Sequence, residues 1–582
     1  MQEDPEKVNF FAATNSRSGQ TPFGIKRKDR VRHVYVIGKT GMGKSTMLEN
    51  MAIQDIRNGE GVAFIDPHGA TADRLLEYVS EHRVKDVLYF APFDMEYPIA
   101  FNVMEDVGYD KRHLVVSGLL SAFRKIWVDA WSARMEYILS NTLLALLEYP
   151  GATLLDVNRM LVNKTFRKKV VENVKDPIVK AFWVEEFATY TDRYTQEATP
   201  AIQNKVGQFT SNPLIRNIVG QSKSSFDIRT IMDERKILIM NLSKGRVGEV
   251  NATLLGSMLV TKIYLAAMSR ADISMHTLNS LPSFYFYVDE FQTFANQSFA
   301  DILSEARKYK LCLTIAHQYV EQMEEEVRNA VFGNVGTTIA FRVGPFDAEV
   351  LETIFKPQFS ATDLVNLGFA QIYLTLMIDG VGSPPFSATT LPPFEAPPAR
   401  FVREVLESSR KQFGKPRQEV EQAIEKWHES EKGEPGVQKA PSSSRPAPAR
   451  LGVRASTGAP RTAEVHGEQP RREHREHEGH SAAAAPPPRH KSPSEPRRVA
   501  PEKAAPPLEG AQSLREALAH VVGKRVQPPR PPEGLKEALG KVAPQAAAVP
   551  ARGGSAPASK SAELPEKVLR NMLAVEMPDE QK

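Results

Sequence analysis

Gly38-Lys39-Thr40-Gly41-Met42-Gly43-Lys44-Ser45, followed by Thr46, is the stretch on which the fold turns. It fits G-x-x-x-x-G-K-[ST], a loop that wraps nucleotide phosphates. The apolar run Val34-Tyr35-Val36-Ile37 leads in as a strand, and residues 45–57 lead out with a helical pattern. Glycines let the backbone turn tightly and aim its N–H groups at phosphate oxygens, and a helix N-terminus adds its positive dipole end. In such a loop Lys44 reaches the β- and γ-phosphates and Ser45 holds Mg²⁺. Gly38 through Thr46 are therefore the candidate contacts to ATP.

Working outward, residues 31–107 alternate strand and helix signals. Gly61-Val62-Ala63-Phe64-Ile65 runs into Asp66-Pro67-His68-Gly69, and Val87-Leu88-Tyr89-Phe90 follows. Alternation of this kind predicts a mainly parallel α/β sheet. Residues 108–230 change to helix-period apolar residues, for instance over 133–147 and 154–171, and predict an all-helical insertion, because the stretch is too long for a connection. Strand signals resume over 231–395, at 236–241, 283–288, 311–316, 337–343 and 371–377, with helices between them. Residues 1–30 read as a lead-in, the globular core is expected to end near Pro393, and 396–431 as a charged helical segment.

From 432 to 582 the chain is rich in Pro, Ala, Arg, Ser and Glu, and more than half of its 42 prolines lie beyond 395. Such a segment is expected to stay disordered, since it cannot bury enough apolar surface to offset its ordering entropy. Inside it Leu514-Arg515-Glu516-Ala517-Leu518 and Leu535-Lys536-Glu537-Ala538-Leu539 repeat a pattern with leucines on one helical face. Val568-Leu569-Arg570-Asn571-Met572-Leu573 is a third apolar cluster. These are either docking peptides or chance pieces of a biased sequence.

A phosphate loop needs a carboxylate on the metal side and a group that orients water. Phe284-Tyr285-Phe286-Tyr287-Val288-Asp289-Glu290 supplies both at a strand's C-terminal end, where ligands bind in open α/β sheets. Asp289 is the candidate for Mg²⁺ and Glu290 for polarising the attacking water. The strand at 311–316 ends in His317-Gln318, and Gln318 is a candidate sensor of the γ-phosphate. Charge developing on a transferred phosphoryl group calls for a counter-charge, and Arg307 and Arg342 are the candidates. For each the alternative is a surface ion pair. Asp66 and His68 face the same edge in a supporting position, and Lys244-Gly245-Arg246 is either a basic loop for a nucleic-acid backbone or a plain solvated turn.

The net charge of +4 over 582 residues permits nucleic-acid binding without arguing for it. The single cysteine, Cys312, lies in an apolar run; it reads as a core residue and fits a reducing cytoplasm. The polar, acidic start from Met1 to Val8 is unlike a signal peptide. No stretch is expected to supply the roughly 20 apolar residues that span a bilayer, so any membrane contact is expected to come through partners.

Taken in order, Gly38–Ser45, Asp66-Pro67-His68-Gly69, a helical insertion, Val288-Asp289-Glu290-Phe291, Ala316-His317-Gln318 and Phe341-Arg342-Val343-Gly344 resemble the HerA/FtsK-type P-loop ATPases. Within them the set looks most like the TraG/TraD coupling proteins of type IV secretion and conjugation. The similarity covers about residues 20–395. It implies a RecA-like motor domain, a homo-hexameric ring and ATP-driven movement of single- or double-stranded DNA with low sequence specificity. It also implies secretion-channel or relaxase-like partners, and a helical insertion that handles substrate. Many coupling proteins carry N-terminal membrane helices, and the HerA repair branch an N-terminal β-barrel. Neither is expected in the 37 residues that precede Gly38. The alternatives are a HerA-like DNA-processing translocase without a secretion role, and a nucleotide-controlled docking platform.

Overall fold

The computed structural model describes residues 4–15, 19–105, 107–295 and 297–430. The expected tail at 432–582, with its repeats at 514–518 and 535–539 and the cluster at 568–573, lies outside the described residues.

The strands are β1 (Val8–Thr14), β2 (Pro22–Lys26), β3 (Val34–Ile37), β4 (Gly61–Asp66), β5 (Val87–Phe90), β6 (Ile237–Asn241), β7 (Phe284–Val288), β8 (Leu311–His317), β9 (Thr337–Ala340), β10 (Gln371–Thr375), β11 (Met377–Ile378), β12 (Val381–Gly382) and β13 (Phe386–Thr390). Eleven of them form one sheet in the order β2-β1-β13-β10-β9-β3-β8-β7-β4-β6-β5, while β11 and β12 pair separately. From β9 to β5 every pairing is parallel; β10, β13, β1 and β2 extend the sheet antiparallel. This is the mixed α/β architecture of a P-loop NTPase. The strand leading into the phosphate loop, β3, is separated from the acid-tipped β7 by β8. Ile37 pairs with His317 and Val288 with Ile315, which brings all three strand tips to one edge.

The parallel strands read as continuous apolar runs because both faces are covered. Along β7, Phe284, Phe286 and Val288 point into one apolar cluster, and Tyr285 and Tyr287 into the other. The first cluster continues without a break into the helices of residues 109–233. The second packs under the helix Lys44–Arg57, with Phe11, Phe23 and Ile25 from the N-terminal strands. Cys312 is buried in the second.

Residues 109–233 contain only helices, the longest being Arg112–Ile126 and Ala133–Leu147. The helix expected over 154–171 is broken in two, Asp156–Val162 and Lys164–Asn173. Asn163 causes the break: its side-chain oxygen accepts from the N–H groups of Thr165 and Phe166 and starts a new helix.

Three expectations are corrected. Residues 1–30 are no mere lead-in, since β1 and β2 extend the main sheet; their alternation is short and interrupted by a bulge between Phe10 and Ala12. The core does not end near Pro393. The Phe394 carbonyl accepts from the Tyr78 hydroxyl at 2.9 Å, and the helix Val402–Phe413 covers the β5 edge, where Ser409 Oγ accepts from the Tyr89 N–H at 3.0 Å. The second C-terminal helix, Arg417–Ser430, docks on the insertion: Trp427 Nε1 donates to the buried Asp156, and Val420 and Ile424 pack on Leu155. Finally, one helix does have the length and composition of a membrane span. Glu249–Asp272 has a mean hydropathy of 1.4 in its most apolar window, but 72% of that window is buried. It is apolar all round because it is a central core helix, packed so tightly on Arg112–Ile126 that a Cβ at Gly118 would lie 2.5 Å from Thr261 Cγ2.

Candidate nucleotide site

The loop after β3 is shaped by its glycines. Gly41 and Gly43 sit at φ +76° and +111°, where side chains are strained, and a Cβ on Gly38 would lie 2.5 Å from Phe341 Cβ. Neighbouring strand tips anchor it, with Gly38 N–H donating to the His317 carbonyl and Lys39 N–H to the Arg342 carbonyl. Gly43 gives the helix Lys44–Arg57 no side-chain cap, so its first N–H groups have no protein acceptor there. The result is an anion cradle, which the triphosphate of a nucleotide fits.

Lys44 is buried. Its ammonium donates to the Gly38 carbonyl at 2.6 Å and the Lys39 carbonyl at 3.2 Å, with no carboxylate in ion-pair contact among the described residues. Burial lowers its pKa, opposed by Glu290 and Asp289. Ser45 Oγ donates to Asp289 Oδ2 at 2.8 Å, so two motifs 244 positions apart in sequence meet at one point. Asp289 is 2% exposed, and burial raises its pKa, with Ser45 pulling the other way. A hydroxyl and a buried carboxylate side by side are the hard oxygen donors that Mg²⁺ takes, so the residues fit the ion. Thr46 follows, half-buried, in the first helical turn.

Glu290 occupies the left-handed region at φ +48°, uncommon for a side chain of this size and costing on the order of 1 kcal/mol. Both carboxylate oxygens are held by amides: Gln318 Nε2 donates to Oε1 and Gln292 Nε2 to Oε2. Gln318 Oε1 in turn accepts from Thr40 Oγ1 at 3.1 Å. One glutamine thus links the phosphate loop to the acid. Beside it His317 is fully buried, its Nδ1 3.3 Å from the Tyr35 hydroxyl; burial, together with Lys44 and Lys125, pushes its pKa down to about 3.

The other candidates divide. Asp66 is buried and spends both oxygens on the turn that follows β4, accepting from the N–H groups of His68 and Ala72. His68 is exposed, with Nε2 4.0 Å from Glu290 Oε1. Arg342 belongs to the site by its backbone contact with Lys39, and its guanidinium has no ion pair among the described residues. Arg307 is not brought there. It lies exposed in the turn that precedes β8, and the seven residues of that strand put about 20 Å between the turn and Gln318. Within one chain Arg307 is at the wrong end of the sheet. Lys244 stands at the tip of β6, donating to Thr293 Oγ1 at 3.3 Å, and Arg246 lies 3.4 Å over the Phe93 ring.

Sequence reasoning missed Thr40 as the partner of Gln318, and it missed Gln292 and Lys125. Gln292 had a signal, being two residues from Glu290. Lys125 had none, because it reaches the Gln292 carbonyl across 167 positions of sequence.

Residues 18–352 match the family described as the type IV secretion-system coupling protein DNA-binding domain. Among solved structures, the bacterial conjugative coupling protein TrwBdeltaN70 in its unbound monoclinic form aligns at 13% identity and a TM-score of 0.48, over 64% of this chain and 87% of that one. The plasmid coupling protein TrwB in complex with ADP and Mg²⁺ aligns at 14% and 0.47, over 65% and 89%. VirB4 of Thermoanaerobacter pseudethanolicus aligns at 13% and 0.44, over 68% and 98%. No curated protein sequence matches the chain.

Proposed function

The chain belongs to the type IV secretion-system coupling protein DNA-binding domain family, and from that premise we propose that it is an ATP-hydrolysing motor that moves DNA, assembled as a ring and working from the cytoplasmic side of a secretion channel. The observation that carries the ATPase reading is the Ser45–Asp289 contact beside a Glu290 gripped by two glutamines. A metal position and a water-activating carboxylate then stand next to one phosphate cradle.

In this mechanism the loop from Gly38 to Thr46 binds the α-, β- and γ-phosphates through its N–H groups. Lys44 exchanges its two carbonyl acceptors for phosphate oxygens, which recovers the charge pairing it lacks in the protein alone. Ser45 and Asp289 would hold Mg²⁺, whose role is to neutralise phosphate charge. Glu290 takes a proton from a water molecule as the water oxygen attacks the γ-phosphorus. The bond to the bridging oxygen breaks, and ADP leaves with its electron pair. Gln318 senses the γ-phosphate through Thr40 and holds Glu290 in line. Arg342 in the same subunit, or Arg307 from a neighbouring one, would offset charge on the transferring group. DNA contacts are expected to be backbone-directed and salt-sensitive, with Lys244 and Arg246 near the strand tips as candidates.

The test is an ATPase assay with single-stranded and duplex DNA, beside a mass measurement with and without Mg-ATP. Hydrolysis stimulated by DNA in a ring-sized species is expected. A monomer whose turnover ignores DNA would overturn the motor reading, and recovery of a membrane channel complex with the chain would distinguish a secretion role from DNA processing alone.

A further inference from the structure

Lys125 is the last-turn lysine of Arg112–Ile126, the first long helix of the insertion. Its ammonium leaves the insertion and enters the loop behind Glu290, donating to the Gln292 carbonyl at 2.6 Å and to the Ala295 carbonyl. Among the described residues it pairs with no carboxylate. The loop it holds is short and tightly wound: Thr293 N–H donates to the Glu290 carbonyl at 2.8 Å and Ala295 N–H to the Phe291 carbonyl at 2.9 Å. The Gln292 side chain reaches back to Glu290 Oε2, and among the described residues its own Oε1 is buried without a partner. So the backbone of the residue that orients the acid is fixed by a cation from the insertion.

Other supports of this loop come from outside the insertion: Gln318 at the tip of β8, Lys244 at the tip of β6 and Ser257 in the core helix. Burial pushes the Lys125 ammonium down to about 8, with Glu324 acting to raise it and Lys244 to lower it. A desolvated cation loses much if its acceptors move away. The same helix face lines a groove of about 720 Å³ with Ser117, Arg124, Trp131, Glu136 and Glu324 around Lys125.

We propose that Lys125 is a positioning residue through which the helical insertion sets the orientation of Glu290, so that a displacement of the insertion changes the rate of water attack. This rests on the reading of Glu290 as the water-activating group. It requires no contact of Lys125 with nucleotide.

The experiment compares the full-length chain with Lys125→Met, Lys125→Arg, Gln292→Ala, the Lys125→Met/Gln292→Ala double variant and Glu290→Gln. Hydrolysis is followed with and without DNA, and ADP–Mg²⁺ affinity and melting temperature serve as folding controls. Lys125→Met is expected to lower kcat about tenfold, matching the loss of roughly one charged hydrogen bond, with KM and ADP affinity within about twofold. Lys125→Arg should restore most of the rate. The double variant should be no slower than the slower single, because both act on one chain of contacts. Additive losses, unchanged kcat in Lys125→Met, or a loss of ADP affinity equal to the loss of rate would each overturn the proposal. If Glu290→Gln hydrolyses normally, the underlying assignment of Glu290 fails instead.

Discussion

Strand β7 serves two buried charge clusters, one on either side of Val288, and they are built on opposite plans. Toward its middle, the Tyr287 hydroxyl joins Arg30 and Asp55. Arg30 donates to both oxygens of Asp55, at 2.7 and 2.8 Å, and to the Tyr287 hydroxyl, which itself donates to Asp55; Asn9 adds a fourth bond to Asp55 at 2.9 Å, and the guanidinium lies 3.6 Å over the Tyr285 ring. Every charge is matched by protein. Beyond its tip, Lys44 has only carbonyl oxygens, Asp289 has a hydroxyl and a backbone N–H, and Glu290 has neutral amides. The first cluster is complete without a ligand and ties the N-terminal segment to the sheet. The second leaves its cation and its anions facing weak partners, which suits a site meant to exchange them for phosphate, metal and water.

The comparison breaks first if the closed cluster is dispensable. Arg30→Met strands a buried carboxylate and should cost about 3–5 kcal/mol of stability, read as a lowered urea midpoint. Adding Asp55→Leu should return part of the loss. A midpoint unchanged in the single variant would mean that the cluster contributes nothing.

The open cluster should behave the other way. Glu290→Gln is expected to leave melting and ATP binding near the parent's while slowing hydrolysis by about 100-fold or more, and Lys44→Ala should lose nucleotide binding itself. Near-normal turnover by Glu290→Gln would remove the functional half of the contrast.

A smaller effect separates the clusters by pH. His317 is held neutral in the folded chain, down to about pH 3, whereas an unfolded histidine takes up a proton below about 6.5. Its contribution is therefore complete above pH 6.5 and is lost as pH falls, by up to about 3 kcal/mol at pH 4.5. The melting temperature of His317→Asn should fall less between pH 6.5 and 4.5 than that of the parent, and parallel curves would refute this. The smallest effect is Asp289→Asn. Burial raises the Asp289 pKa, so the ionised form is a cost without ligand. The variant should melt slightly higher than the parent in the absence of nucleotide, by about 1 kcal/mol, yet gain no stability from Mg-ATP. A lower melting point without nucleotide would contradict that reading.

The legible parts of the molecule were those in which a local pattern meets a local requirement. Gly41 and Gly43 stand where positive φ is needed, and the apolar runs of β3, β4, β7 and β8 announce strands covered on both faces. Asp289 and Glu290 could be read because the tip of a parallel strand is where such a sheet binds ligands. The N-terminal segment was not legible: its polar residues Asn9, in β1, and Arg30, just after β2, are buried by partners more than 20 positions away, Asp55 and Tyr287. Residues 396–431 read as a charged helical segment, a pattern that did not show the docking through Ser409, Val420 and Trp427.

By itself, then, the sequence indicated the phosphate-loop pattern, the alternation of strand and helix around it, a helical insertion over 108–230 and two candidate acids at a strand tip, because each reading draws on backbone geometry, on a period of two or 3.6 residues or on where such a sheet binds ligands. Only the tertiary structure decided that Ser45 meets Asp289, that Gln318 bridges Thr40 and Glu290, that Arg342 and not Arg307 stands at the loop, and that Lys125 reaches it from the insertion. These are contacts between side chains and backbone brought together by strand order and helix packing, and no local period in a chain records which distant residues the sheet will place at one edge.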